Sequence, residues 1–276
     1  MLRERQRCSG SARRRRRFDE REGRLMLRVL FSRAELYGVA KEIGKQGARR
    51  SVWIVIDVLR ATTSMVAAFE AGCAAIRPAV GIAEARRLRK GSRAGKRILA
   101  GERDGKPIRG FDLGNSPREL IPERVAGRDI VLTTSNGTRT IRAITDAGAG
   151  EVWVASFANA AAVSRRAADL IKERRNGCVN LVCSGRDARF CLEDAVCAGL
   201  IIGELRGKGV ELTDSALACW NLYDRHRVDL LGMLRESSWG KRLQEIGLGA
   251  DLDFCARTGW SRIVPVYARG VIRQGK

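Results

Sequence analysis

Val179-Asn180-Leu181-Val182-Cys183-Ser184-Gly185-Arg186-Asp187-Ala188-Arg189-Phe190-Cys191-Leu192-Glu193-Asp194 reads as a buried strand, a tight polar loop and the opening of a helix. The loop and helix start carry a thiol at Cys183, a glycine at Gly185, arginines at Arg186 and Arg189, and carboxylates at Asp187, Glu193 and Asp194. A strand that passes through a glycine-containing loop into a helix leaves free backbone N–H groups and the positive end of the helix dipole facing one spot. That spot suits an anion.

Outward from this stretch the same cadence recurs about six times, which predicts an α/β fold: a largely parallel sheet flanked by helices on both faces. Strands are expected at 27–31, 52–56, 74–80, 97–100, 130–132, 152–155 and 263–266, the last at a sheet edge because Pro265 cannot donate to a ladder. Helices are expected at 61–71, 82–89, from about 137 to 147, and at 159–175, 190–205, 213–224 and 238–247. Thr62 or Thr63 can cap the first of these, and residues 33–46 read as helical or irregular. Residues 103–118 read as a long loop, a feature that in a compact domain is usually functional.

With 276 residues, 45% hydrophobic and 30% charged, the chain can bury a large core. Residues 1–24 hold ten arginines and four acids and show no apolar periodicity. They read as a disordered basic tail, with Met26 as an alternative start, and residues 25–276 as the folded unit, either one domain or two intimate subdomains. The formal charge of +21 favours anionic partners, but the basic residues of the body are scattered and only three tyrosines are present, so nucleic acid is disfavoured and a non-catalytic basic nucleic-acid-binding protein stands as an alternative. No apolar run is long enough to span a membrane, and no export signal precedes the body. The eight cysteines contain no C-x-x-C pair and read as reduced thiols of a cytoplasmic protein. His226 is the only histidine, which removes zinc sites and Ser-His-Asp chemistry from consideration.

In open α/β sheets ligands bind beyond the carboxyl ends of the strands. Polar clusters follow the strands at Asp57, Glu102, Thr133–Thr138, Ser156 and Cys183–Asp187. Asp57 stands at a strand end with Arg60 at the next helix start; it can bind a metal, attack phosphorus or simply cap the helix. A haloacid-dehalogenase-type phosphatase would place a second Asp two positions later, where this chain has Leu59. Thr134, Asn136, Gly137 and Thr138 open a helix with hydroxyls and amides suited to phosphate, sulfonate or carboxylate, without the glycine spacing or lysine of a P-loop. Cys183 and Arg189 share the C-x5-R spacing of cysteine phosphatases, so a metal-free thiolate mechanism stands as an alternative. Carboxylate-held metal chemistry is the simpler option.

Five segments in order carry a more specific resemblance: Val55-Ile56-Asp57-Val58-Leu59-Arg60-Ala61-Thr62-Thr63, Ala100-Gly101-Glu102-Arg103, Gly110-Phe111-Asp112-Leu113-Gly114-Asn115-Ser116-Pro117, Thr133-Thr134-Ser135-Asn136-Gly137-Thr138, and Cys183-Ser184-Gly185 through Phe190-Cys191-Leu192-Glu193-Asp194. Together they resemble the 2-phosphosulfolactate phosphatase (ComB) family. The resemblance implies an α/β, Mg²⁺-dependent phosphoric monoester hydrolase that converts 2-phosphosulfolactate to sulfolactate and phosphate, a reaction of coenzyme M biosynthesis. It also implies acceptance of other phosphorylated 2-hydroxy acids. Ala188 stands where the family pattern has glycine, which disfavours a tight left-handed turn there.

On this resemblance Mg²⁺ is held by some of Asp57, Glu102, Glu193 and Asp194, and catalysis rests on Asp57, Arg60 and Glu102. Asp57 either attacks phosphorus or helps activate a water. Arg103, Asn115, Ser116, Thr134, Asn136, Gly137, Thr138, Ser184, Gly185 and Arg189 are expected to bind the substrate. Of Arg60, Arg103, Arg139, Arg186 and Arg189, two or three are expected to touch it. Adjacent helical positions point about 100° apart, so one of Glu193 and Asp194 is expected to face the metal and the other to cap the helix or lie on the surface. The partner is a small anionic substrate, and a homo-oligomer is open.

Overall fold

Short apolar runs between amphipathic ones cannot bury themselves alone, so they assemble into a sheet with helices laid on it. The computed structural model describes residues 25–91, 97–173 and 178–275; the basic tail and the expected end of the 159–175 helix fall outside these. The strands are β1 (Leu25–Leu30), β2 (Val52–Ile56), β3 (Ala75–Pro78), β4 (Arg97–Arg103), β5 (Lys106–Pro107), β6 (Asp129–Thr133), β7 (Val152–Ala155), β8 (Cys178–Cys183), β9 (Val210–Leu212), β10 (Pro265–Ala268) and β11 (Val271–Gln274). The helices are α1 (Leu36–Arg50), α2 (Ala61–Glu70), α3 (Ile82–Lys90), α4 (Pro122–Val125), α5 (Gly137–Asp146), α6 (Ala160–Glu173), α7 (Leu192–Leu205), α8 (Asp214–His226), α9 (Leu230–Glu236), α10 (Ser238–Glu245) and α11 (Ala250–Cys255). Among the described residues, no helix is long and apolar enough to cross a membrane.

All eleven strands join one sheet, in the order β5-β4-β6-β3-β11-β10-β7-β2-β8-β1-β9. β9, β1, β8, β2 and β7 form one parallel block, and β3, β6 and β4 a second. The C-terminal hairpin β10–β11 lies between them and pairs antiparallel on both sides. The expected edge position of Pro265 is therefore wrong. Proline is tolerated because it is the first residue of β10: it pairs only with Gln274 of β11, and the ladder to β7 begins at Val266. The 103–118 loop also holds more order than expected, with β5 pairing back on β4 and a 3-10 turn at Pro117–Glu119.

Side-chain alternation divides the core. Ile54 and Ile56 of β2 face a cluster with Val163 of α6 and Val196 and Ile201 of α7. Trp53 and Val55 face the opposite cluster with Met65 of α2, Ile141 and Ile144 of α5, and Ile98 and Ile130 of the second parallel block. α2 and α5 thus tie the two blocks together, and both start at the polar ends of strands. The 33–46 segment resolves into a 3-10 turn at Arg33–Glu35, capped by Ser32 with Glu35 reaching back, followed by α1 with a kink at Gly44.

The loop after β8 contains a two-residue hairpin turn. Arg189 N–H donates to the Arg186 carbonyl at 2.8 Å and Arg186 N–H to the Arg189 carbonyl at 3.1 Å. Asp187 and Ala188 hold φ of 50° and 60°. The left-handed turn that Ala188 was expected to disfavour is therefore made, at about 1–2 kcal/mol for its Cβ. Glycine relieves that clash but adds freedom to the unfolded chain. We expect Ala188→Gly to raise the unfolding free energy in urea by about 1 kcal/mol. A lower midpoint at unchanged slope would contradict the left-handed assignment.

Candidate active site

The site grows from the junction of β2 with α2. The Asp57 N–H donates to Thr62 Oγ1 at 3.0 Å, and Thr62 Oγ1 donates back to the Asp57 carbonyl at 2.8 Å. Thr63 Oγ1 donates to the Val58 carbonyl. Neither threonine caps α2. Asp57 takes that place, its Oδ1 accepting the Ala61 N–H at 3.2 Å. The capping role is therefore real, but it uses one oxygen. Oδ2 faces Gly137 at the start of α5, where a Cβ would lie 2.9 Å from that oxygen and 2.7 Å from the Ala61 methyl. Only glycine lets the α5 terminus approach the carboxylate this closely.

Glu193 and Asp194 open α7 beside Asp57. Both are buried, which excludes the surface alternative for the one that does not face the metal. Asp194 bridges two loops, its Oδ1 accepting the Val58 N–H at 2.9 Å and its Oδ2 the Gly185 N–H at 3.3 Å. Burial pushes the Asp57 carboxyl up to about 7, and the charges of Glu102 and Glu193 push the same way against the N–H groups of Ala61 and Gly137. Burial raises Glu193 as well. Asp194 is raised by burial first and by the charges of Asp57 and Glu193 next. A helix N-terminus stabilises a carboxylate by about 0.3–1 kcal/mol, or about 2 kcal/mol at best, whereas removing the ion from water costs several. Desolvation wins here, and the result is a centre rich in negative charge that takes up protons or cations.

Glu102, from the end of β4, approaches from the second parallel block. Its Oε1 accepts the Ser135 N–H at 2.7 Å, and its Oε2 accepts the Gly105 N–H at 2.9 Å and the Ser135 hydroxyl at 3.2 Å. Thr134 and Thr138 satisfy each other across the first turn of α5. Asn136 Oδ1 accepts from Arg33 at 3.0 Å. Asp57, Arg60, Glu102, Asn115, Thr134 and Asn136 line one small cavity of about 40 Å³. Asn115 is 4% exposed and its Oδ1 has no partner, so a buried polar atom stands ready for a ligand.

Other expected ligands have different duties. The Arg60 guanidinium donates to Asp251 at 2.7 Å and to the Gly105 carbonyl at 2.6 Å, and the Ser116 hydroxyl donates to the same Asp251 at 2.6 Å. Arg60 keeps one face on the cavity, whereas Ser116 is committed to the ion pair. Arg103 donates to its neighbour's carbonyl at Glu102 and to Thr133 Oγ1. Ser184 is fully buried with an unpartnered hydroxyl. Gly185 is required by geometry, since its φ is 61° and a Cβ would collide with the Arg189 carbonyl. Arg189 lines a second cavity instead of the first. Cys183 is 1% exposed, and burial pushes its thiol well above the ordinary range, so the thiolate alternative fails and Cys183 packs the core.

Four contributors were missed or undervalued. Ser135 holds Glu102 although only its neighbours were singled out. Asp251 comes from α11, far along the chain, and no local motif marks it. Arg186 stacks on Trp239 of α10, 4.4 Å from the ring centre, and both line the cavity.

The donors suit a hard divalent cation: they are carboxylate oxygens whose mutual repulsion such an ion would relieve. Among the described residues, no three His, Cys, Asp or Glu side chains form a ready-made metal cage. Mg²⁺ needs none, because it uses one or two carboxylates and keeps water and substrate oxygens for the rest. Asp57 lines the cavity and the charge of Glu193 acts on it, whereas Asp194 and Glu102 each bridge two segments through N–H groups held on both oxygens, so Asp57 and Glu193 suit that pattern best.

Fold and site together define an α/β enzyme with an acidic centre facing a helix N-terminus at its strand ends. The chain belongs to the 2-phosphosulpholactate phosphatase family, whose sequence model matches residues 38–270. A probable 2-phosphosulfolactate phosphatase of Symbiobacterium thermophilum is 40% identical over 223 residues, which cover 80% of this chain and 93% of that one. Proteins of the same description from Synechococcus sp. (strain JA-3-3Ab) and Clostridium acetobutylicum are 41% and 34% identical, covering 77% and 84% of this chain and 86% and 96% of their own.

Proposed function

We propose that residues 25–276 form a cytoplasmic phosphatase unit that hydrolyses phosphate monoesters of small 2-hydroxy acids, with Mg²⁺ held by Asp57 and Glu193. 2-Phosphosulfolactate is the substrate that the names of its relatives give. The observation that carries this is the buried group of Asp57, Glu193 and Asp194, set against the glycine start of α5. Bound Mg²⁺ supplies positive charge to the phosphoryl oxygens. The Asn136 amide at the start of α5 and the Asn115 side chain orient the phosphoryl group. Asp57 Oδ2 either forms the new bond to phosphorus as the ester oxygen departs, or holds the site while water does so. Both routes consume one water and release phosphate and the free 2-hydroxy acid. Asp194 and Ser135 keep the loops and Glu102 in register.

Phosphate release from a panel of phosphorylated 2-hydroxy acids, with and without Mg²⁺, tests this directly. Turnover is expected with Mg²⁺ and is expected to fall at least a hundredfold (roughly, for loss of the main counter-charge) in EDTA. Full activity after chelation would remove the metal from the mechanism, and no release from any ester would remove the phosphatase. Acid-stable label on Asp57 after quenching would select direct attack by the carboxylate.

A further inference from the structure

A second cavity, of about 520 Å³, opens beside the first. Arg186, Asp187 and Trp239 line both cavities. Asp57 borders the first and Glu193 the second, so the acidic centre sits at their junction. The volumes differ in kind. The first, about 40 Å³, has room for roughly three water-sized groups, enough for a phosphoryl group without its carbon skeleton. The second falls within the range of roughly 300–1,000 Å³ that holds an organic ligand.

Its walls indicate what fits. Arg186 lies 3.9 Å from Asp187, so those charges offset each other. Arg189 and Glu236, of opposite charge, share the same wall. Cys191, Glu193, Ser237 and Ser238 complete the wall on the side of the acidic centre, and its large apolar surfaces are Phe190, Leu192 and the Trp239 ring. Phe190 is 51% exposed, a large aromatic facing water from a cavity wall, and it is fixed edge-on against Phe31 at 5.5 Å. Trp239 is fixed by its stack on Arg186. Rigid aromatic walls gain most from a ring or branched chain laid against them.

We propose that the second cavity receives the carbon skeleton of the substrate and favours phosphorylated 2-hydroxy acids with an apolar substituent the size of a phenyl group. This rests on the phosphatase function proposed above. A small anionic substituent still meets Arg189 there, but leaves Phe190 and Leu192 uncovered. The proposal makes Phe190 a specificity-determining residue.

The test compares the phosphate esters of lactate and 3-phenyllactate. Calorimetry on the full chain with Mg²⁺ uses their phosphonate analogues, which do not turn over, and phosphate release uses the esters. The phenyl analogue is expected to bind about tenfold tighter, short of the full worth of burying a ring. In Phe190→Ala that preference is expected to shrink at least several-fold. Equal affinity for the two analogues, or an undiminished preference in Phe190→Ala, overturns the proposal. Turnover of both esters without a binding preference would refute the second cavity alone. A binding preference that Phe190→Ala diminishes, with no turnover of either ester, would support the cavity and refute the phosphatase.

Discussion

Asp57→Asn is expected to lower kcat/KM by about a thousandfold or more and, in metal-free protein at pH 8, to make the fold more stable. The two effects share one cause. Asp57 is folded into a place where its charge is unwelcome, with the carboxyl raised from its ordinary value of 3.8 to about 7. In the folded state it holds its proton between those limits while the unfolded chain has lost it, so stability falls as pH rises through that window and levels off above about 7. The full difference is of the order of 4 kcal/mol above pH 7. Asparagine removes the charge but offers one acceptor to the N–H groups of Ala61 and Gly137 that now share two, which returns about 1–2 kcal/mol. The variant should therefore melt several degrees above wild type at pH 8 without metal and lose that advantage at pH 4, where the wild-type carboxyl is protonated. Mg²⁺ should restore the wild type and leave the variant unmoved. A variant that melts lower than wild type at pH 8, or that keeps a tenth of the activity, would show that Asp57 is a structural cap and not the charged centre.

Much of this was legible because it is local. The period of apolar runs gave the α/β order, and polar residues after strands marked Asp57, Glu102, Thr134 and Asn136, which the structure gathers around one cavity. The hairpin β10–β11 between two parallel blocks was not legible, because a Pro at the first position of a strand looks the same in sequence at an edge or in the interior. Arg60 looked like a free anion ligand because its partner, Asp251, lies 191 positions away on a short helix with no motif. Trp239 was invisible for the same reason. The 100° rule correctly separated Glu193 and Asp194 in direction, yet both directions are interior, since the loops after β2 and β8 close over the first turn of α7. Periodicity shows which way a side chain points along its own helix but carries no information about what another segment places there.

The second large effect is expected at Asp251. Arg60 and Asp251 pair at 2.7 Å with side chains 2% and 1% exposed, and Ser116 and the Gly105 carbonyl complete their hydrogen bonds. The pair Lys172–Asp169, 77% and 69% exposed, contributes about 0–1 kcal/mol because water screens it. The buried pair behaves differently. Its attraction is largely offset by the cost of desolvating both ions, so the pair need not stabilise the fold relative to apolar groups, but breaking it strands a buried charge. Asp251→Ala is expected to cost about 3–5 kcal/mol and to lower the melting temperature by roughly 10 °C. Activity should fall with it, because the same carboxylate sets Arg60 in the cavity wall and ties down the 104–116 loop next to Glu102. The double variant Arg60→Met, Asp251→Leu separates the roles. Removing both charges should recover most of the stability, to within about 2 kcal/mol of wild type, while leaving the cavity without its arginine. If that stable variant still turns over substrate at the wild-type rate, Arg60 is scaffold and the phosphoryl group is held by the α5 terminus and Asn115 alone. If it folds and fails, Arg60 acts in the site, and the role of Asp251 is to hold its guanidinium there.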